Sequence, residues 1–155
     1  PLMKGDALMQ ASLHRADFPI ARTMHTRWAD NDQYGHLNNA WYYTYLDTAV
    51  NGWLIEATGV DVSTLDSIGL VVSSRCDYLA PAGFPDVLEV GLATARVGTT
   101  SITYRLGVFR QADALLCATA QFVHVYVDRH TRRPAPIPEA IADVVRQLPH
   151  IDPMP

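Results

Sequence analysis

A chain of 155 residues, 48% of them hydrophobic and 18% charged, has the size and balance of one globular domain, and its apolar content argues against disorder. Its net charge of -4 gives no broad attraction to nucleic acid or to an anionic membrane surface, so neither is expected as a partner. The only cysteines, Cys76 and Cys117, are too isolated for a disulfide framework or a zinc site and read as reduced structural thiols.

Residues 1–19 lack sustained periodicity, and Asp17-Phe18-Pro19 reads as a loop leading inward, so a mobile N-terminal arm is expected. Pro1-Leu2-Met3-Lys4 lacks the apolar stretch of a signal peptide, and no apolar run reaches the roughly 18 residues of a membrane span. A soluble, cytoplasmic protein is therefore expected. Residues 20–28 suit a first strand, although Arg22, His25 and Arg27 disturb the alternation.

Arg27-Trp28-Ala29-Asp30-Asn31-Asp32-Gln33-Tyr34-Gly35-His36-Leu37-Asn38-Asn39 is turn-prone and concentrates carboxylates, a His and a Gly just before an apolar segment. That segment, residues 39–57, has Tyr42, Leu46, Ala49, Trp53 and Ala57 at helical spacing. Its polar face is narrow, made by Thr44, Asp47, Thr48 and Asn51, which predicts a helix mostly wrapped by protein. Asn38 suits the N-cap, and Gly59 suits the stop.

Strands are expected at residues 69–79, 87–97, 101–109 and 115–127, separated by turns rich in Gly, Pro and Asp. Residues 101–109 alternate cleanly, with Ile102, Tyr104, Leu106 and Val108 on one face, as a half-buried strand should. In 115–127 the apolar set shifts from Ala118, Ala120 and Phe122 to Val123, Val125 and Val127, which predicts a bulge near Phe122. A basic turn with Arg129, Arg132 and Arg133 follows, then a short helix over 138–148 and a tail over 149–155. Strand, long helix, then four strands on short turns is an α+β pattern: a single domain over 20–148 with a five-stranded antiparallel sheet curled around one long central helix.

The loop starts like a calcium site at Asp30, but the position that needs a bidentate Glu is Trp41. The six His residues show no metal-ligand spacing, so no metal is expected. No G-x-S-x-G, P-loop or G-x-G-x-x-G motif is present, which removes the usual support for a hydrolase triad, nucleotide hydrolysis or dinucleotide redox chemistry. The loop carboxylates remain. A carboxylate can attack a carbonyl or deprotonate water if a donor stabilises the oxygen as charge develops, and the free N–H groups opening the next helix are such donors.

Taken together, Asp30-x-Asp32-x-x-Gly35-His36-x-Asn38-Asn39 followed by Tyr42-x-x-Tyr45-Leu46, Asp77-Tyr78-x-x-Pro81, Asp86-x-Leu88 and Val127-Asp128-x-x-Thr131-x-Arg133-Pro134-x-Pro136-Ile137-Pro138 resembles the hydroxybenzoyl-CoA thioesterase branch of the hotdog-fold thioesterases. The resemblance spans roughly residues 20–148. It implies a hotdog fold, a homodimer or dimer of dimers, and metal-independent hydrolysis of an acyl thioester at the subunit interface. No cofactor is implied beyond coenzyme A as part of the substrate.

By position, the catalytic acid falls on Asp32 and the carbonyl-polarising backbone N–H on Asn39. His36 either holds the loop or meets substrate or water. Gly35, Tyr42, Asp47, Arg132 and Arg133 are the substrate-binding candidates, with Asp47 near the acyl end and the arginines on carrier phosphate. Some members carry a basic run before the strand that begins at Ser101, where this chain has Gly98-Thr99-Thr100, so acyl carrier protein stays open beside coenzyme A. The alternative to an enzyme is a noncatalytic hotdog module that binds acyl groups or serves as a structural subunit.

Overall fold

The computed structural model describes residues 13–155. Chain order is β1 (Ala21–His25), α1 (Asn39–Thr58), β2 (Ser67–Tyr78), β3 (Val87–Val97), β4 (Ser101–Arg110), β5 (Leu115–Asp128) and α2 (Glu139–Val145). The strands form one sheet in the order β1-β3-β4-β5-β2, with every neighbouring pair antiparallel. This is the α+β hotdog fold that the sequence led us to expect.

Helix α1 begins where its cap predicts. The Asn38 side chain accepts from the Ala40 N–H at 3.0 Å, and Gly59 ends the helix in the left-handed region at φ 68°. Tyr42, Leu46, Ala49, Val50, Trp53 and Leu54 are buried and face Leu88, Val90, Leu92, Ile102 and Leu106 of the sheet. The aliphatic side chains larger than alanine among them contribute about 1.5–3 kcal/mol each when fully buried, so the central helix is held by its apolar face rather than by local propensity.

Two expectations about the sheet are corrected. No register break falls at Phe122: β5 breaks its pairing with β4 beside Cys117, and β2 breaks its pairing with β5 at Val72. Between these points β5 keeps one phase, so Ala118, Ala120, Phe122, His124 and Tyr126 turn inward and Val123 and Val125 do not. The valines suggested a change of face, yet the pleat keeps its period of two and puts a histidine in the core.

Strand β4 is also more than half-buried, because Arg105, Gly107 and Phe109 on its outer face are covered too. The cover comes from segments expected as arm and tail. Residues 1–12 of the expected arm lie outside those described, but Phe18 is fully buried and meets Phe109 edge-on at 5.6 Å between ring centres. A Cβ at Gly91 would lie 2.4 Å from the Phe18 ring, so only glycine lets that ring approach the sheet. At the other terminus the Thr94 N–H donates to the Pro149 carbonyl, and the Ile151 N–H donates to that of Thr94. The Asp152 carbonyl accepts from Arg105 Nε at 2.8 Å, while Thr119 Oγ1 and the Ala120 carbonyl accept from its Nη1. Burial lowers the pKa of that guanidinium.

The edges of the sheet are unequal. β1 is short, whereas β2 has 12 residues and, among the described residues, pairs only with β5. Leu70, Val71 and Val72 are 38, 48 and 60% exposed along it, an apolar edge of the kind that natural sheets usually cover or pair.

Truncating the buried Phe18 to alanine is expected to cost about 3–5 kcal/mol, as for other buried aromatics. Urea unfolding of the Phe18→Ala variant measures it. A loss below about 1 kcal/mol would mean that this segment does not close the outer face.

Candidate active site

The loop between β1 and α1 is organised by one buried acid. Asp30 is fully buried and accepts from the Arg27 backbone N–H at 3.0 Å, from Arg27 Nη2 at 2.8 Å and from Nε at 3.0 Å. The Tyr45 hydroxyl, from the second turn of α1, also donates to it. Burial pushes the Asp30 carboxyl up, but these hydrogen bonds outweigh it and hold the pKa below the ordinary value. Its own carbonyl accepts from the Asn38 N–H at 2.9 Å, so the acid ties the end of β1 to the cap of α1.

Between those two fixed points the chain makes a tight excursion. Gly35 sits at φ 80°, a conformation that glycine adopts without strain, and the loop closes through Asp32 N–H to His36 carbonyl at 2.8 Å and Gly35 N–H to Asp32 carbonyl at 3.1 Å. Asp32 Oδ1 accepts from the Tyr34 N–H at 2.8 Å and from the His36 N–H at 3.3 Å. Oδ2 has no hydrogen-bond partner among the described residues.

The segment after β2 supports the loop from the other side. The Leu37 N–H donates to the Ala82 carbonyl at 2.6 Å, and the Phe84 N–H donates to Asn31 Oδ1 at 2.9 Å. A Cβ at Gly83 would lie 2.9 Å from the Gly35 carbonyl oxygen, so this contact also needs a glycine.

These elements enclose an open cleft of ≈ 370 Å³ lined by Asp32, His36, Leu37, Asn39, Tyr42, Tyr78, Leu79, Ala80, Pro81 and Ala82. Asn39 is the first helical residue, and its N–H donates to no group among the described residues, while its carbonyl accepts from the Tyr78 hydroxyl at 3.1 Å. Tyr42 is buried beneath the cleft, its ring 5.2 Å from that of Tyr78, and burial raises the pKa of both phenols. Chemically the cleft offers a carboxylate with one unengaged oxygen and an N–H at the positive end of a 20-residue helix.

The structure therefore brings Asp32, His36, Asn39 and Tyr42 together, with Gly35 shaping the loop beneath them. Asp47 stands apart. It lies eight residues further along α1, about 12 Å at the helical rise, and lines a separate cavity with Tyr43, Thr44, Thr48, Val71, Ser74 and Phe122. Arg132 and Arg133 are exposed and lie farther still, on the turn that follows the strand partner of Ser67. The cleft uses the Tyr78 end of β2, so within one chain about 35 Å of strand separates the two. That turn is built by Asp128, whose Oδ1 accepts from the His130 and Thr131 N–H groups at 2.8 Å, and Arg132 closes it at φ 63°.

Tyr78, Leu79 and the 80–82 segment are cleft residues that sequence reasoning missed as site residues. The Asp77-Tyr78-x-x-Pro81 motif was the signal for them. Among the described residues no cluster of His, Cys, Asp and Glu could hold a metal, and no helix is long and apolar enough to cross a membrane. Burial pushes the Cys76 thiol up to about 11 and raises that of Cys117, which suits structural rather than nucleophilic thiols.

The family model of the thioesterase-like superfamily matches residues 26–145, and the chain belongs to that superfamily. Membership supports thioester hydrolysis as the class of reaction. The chain is similar to the crystal structure of the PA5185 protein from Pseudomonas aeruginosa, with 44% identity, 90% of this chain and 98% of that one covered, and a TM-score of 0.85. It shares the fold of Slr0204, a 1,4-dihydroxy-2-naphthoyl-CoA thioesterase from Synechocystis, at 22% identity over 84% of this chain and 98% of that one, TM-score 0.75. It also shares the fold of the SAV2348 protein from Staphylococcus aureus, solved in complex with CoA, at 21% identity over 84% of this chain and 86% of that one, TM-score 0.75.

Because Asp30 has a depressed pKa, its stabilising effect is present above the unfolded carboxyl value of about 3.9 and is lost as pH falls through the folded value. Asp30→Asn is expected to cost about 2 kcal/mol near neutrality, where a buried charge-assisted network is broken. The gap between parent and variant should shrink below about pH 4, measured by urea unfolding across pH. A gap independent of pH would show that the charge of Asp30 contributes nothing.

Proposed function

We propose that the protein hydrolyses an acyl thioester to free acid and thiol, with Asp32 acting on the carbonyl carbon and the Asn39 backbone N–H holding the oxyanion. One observation carries the reading: a carboxylate with an unengaged oxygen shares a cleft with the unpartnered N–H that opens a long helix. A thioester carbonyl gains negative charge on oxygen as it is attacked, and an N–H already fixed by the Asn38 cap needs no reorganisation to receive it. Asp32 either attacks directly, expelling the thiolate and leaving an anhydride that water cleaves, or takes a proton from water as that water attacks. His36, at the cleft wall, is exposed and free to meet water or the leaving sulfur.

The carrier in this reading is coenzyme A, supported by the CoA complex of a protein with the same fold. The unpaired edge of β2 supports self-association. Two copies joined antiparallel along β2 satisfy that edge through a two-fold axis and bury its apolar residues. The axis would set the Tyr78 end of one β2 against the Ser67 end of the other, so the arginines of one copy's turn would reach carrier phosphates at the other copy's cleft.

Four measurements test the proposal. Asp32→Asn keeps the size and much of the turn hydrogen bonding, so the fold should survive by circular dichroism while kcat falls by about 10² to 10⁴. Asn39→Ala should retain substantial activity, since the proposed donor is backbone. A folded Asp32→Asn protein within about threefold of the parent kcat would remove Asp32 from the mechanism and favour an acyl-binding module. Light scattering at micromolar concentration should give at least a dimer, and a monomeric mass would overturn the edge pairing. Replacing Arg132 and Arg133 by alanine should raise KM for acyl-CoA and spare a short acyl thiol analogue; equal effects on both would assign the turn a structural role.

A further inference from the structure

Three cavities follow one another along the seam between α1 and β2. As the α1 numbers rise from Asn39 through Asp47 to Asn51, those on β2 fall from Tyr78 through Val71 to Ser67, so the three separate cavities lie in file along the α1–β2 seam. The last of them, ≈ 310 Å³, has Leu54, Ile68, His124, Tyr126 and Ile141 in its wall, together with the charged Arg129. It is about 18 Å from Asn39 along the helix.

His124 is the unusual member of that wall. It occupies a core-facing position of β5, is 3% exposed, and its buried Nε2 has no hydrogen-bond partner among the described residues. Beside it Tyr104, fully buried and 5.1 Å away ring to ring, has a hydroxyl that likewise has no partner among the described residues. Burial holds the imidazole toward its neutral form, with the nearby Asp47 only partly opposing this. A buried ring nitrogen without a partner is costly, and an oxygen brought to it along the cavity that His124 lines could satisfy it. A wholly hydrocarbon occupant would leave the cost in place.

Resting on the thioesterase reading, we propose that the acyl group lies along the α1–β2 groove and that its far end meets His124, so that the protein selects acyl chains bearing a hydroxyl or oxo oxygen at that end. Leu54, Ile68 and Ile141 supply the apolar wall for the chain, and His124 reads its terminus. Asp47 and Asn51, linked at 3.2 Å through Asn51 Nδ2, form the polar rim between the middle and last cavities.

The test uses the free acids, which bind without turnover. Calorimetric titration of the whole protein compares decanoic, dodecanoic and tetradecanoic acids with their ω-hydroxy counterparts. At the best-fitting length the ω-hydroxy acid should bind about tenfold more tightly, the worth of one buried hydrogen bond. His124→Leu should abolish the preference while leaving thermal stability equal or higher, because it removes an unsatisfied polar group. His124→Gln should retain part of the preference. Equal binding of both acids by the parent, no binding of either series, or a preference that survives His124→Leu would overturn the inference. The outcome is separable from the hydrolytic reading: a His124-dependent preference in a protein that hydrolyses nothing would uphold this subsite and reject the enzyme.

Discussion

The geometry of the cleft depends on the burial of the Asp30 carboxylate. A bare carboxylate would be expensive in this interior, and what makes it tolerable is saturation by Arg27 and Tyr45. Those donors come from the residue that leads out of β1 and from the second turn of α1, while the Asp30 carbonyl takes the N–H of the capping residue Asn38. The two ends of the loop are thereby fixed relative to each other, and residues 31–37 form a short closed excursion from a rigid base. Asp32 opens that excursion and Asn39 directly follows it. Their placement in one cleft is thus a consequence of how the helix is tied to the sheet.

The same tie explains why the cleft is coupled to the edge of the sheet. Its second wall is the chain leaving β2, held to the loop by the Leu37–Ala82 and Phe84–Asn31 hydrogen bonds. The strand that carries this wall is also the long edge strand whose outer side is apolar and, among the described residues, unpaired. An edge strand covered only on one side is the part of a sheet most free to open locally. Tyr78, whose hydroxyl meets the Asn39 carbonyl, ties the far end of this edge strand to the first helical turn, so pairing along β2 would restrain that turn as well.

The long helix, its cap and stop, the strands and the reactive loop were legible because each rests on local chemistry: apolar residues at helical spacing, Asn38 before them, Gly59 after them, and Gly35 in the turn. What was illegible was set by tertiary cover. The arm and tail read as peripheral because Phe18 and the 149–154 segment carry no periodicity, and only folding places them over Gly91 and Arg105. Strand β5 misled in a different way. Val123 and Val125 are intrinsically better core residues than His124, yet the pleat, anchored by Ala118, Ala120 and Phe122, decides which side chains turn inward. The long reach from Asp32 to Arg132 and Arg133 could not be read at all, since motif order along the chain says nothing of which end of a strand a turn occupies.

Two acids two residues apart are held in opposite ways by their surroundings. An ionised carboxylate has about four acceptor positions. Asp30 uses both oxygens on Arg27 and Tyr45 and is sealed from solvent, so it can neither approach a substrate nor release electron density to one. Asp32 engages backbone N–H groups through Oδ1 alone, which fixes its orientation while Oδ2 keeps its lone pairs. A nucleophile or base has to be held and yet have an oxygen to spare. Of the two, only Asp32 satisfies both conditions, and it does so because Asp30 has taken over the structural work of the loop.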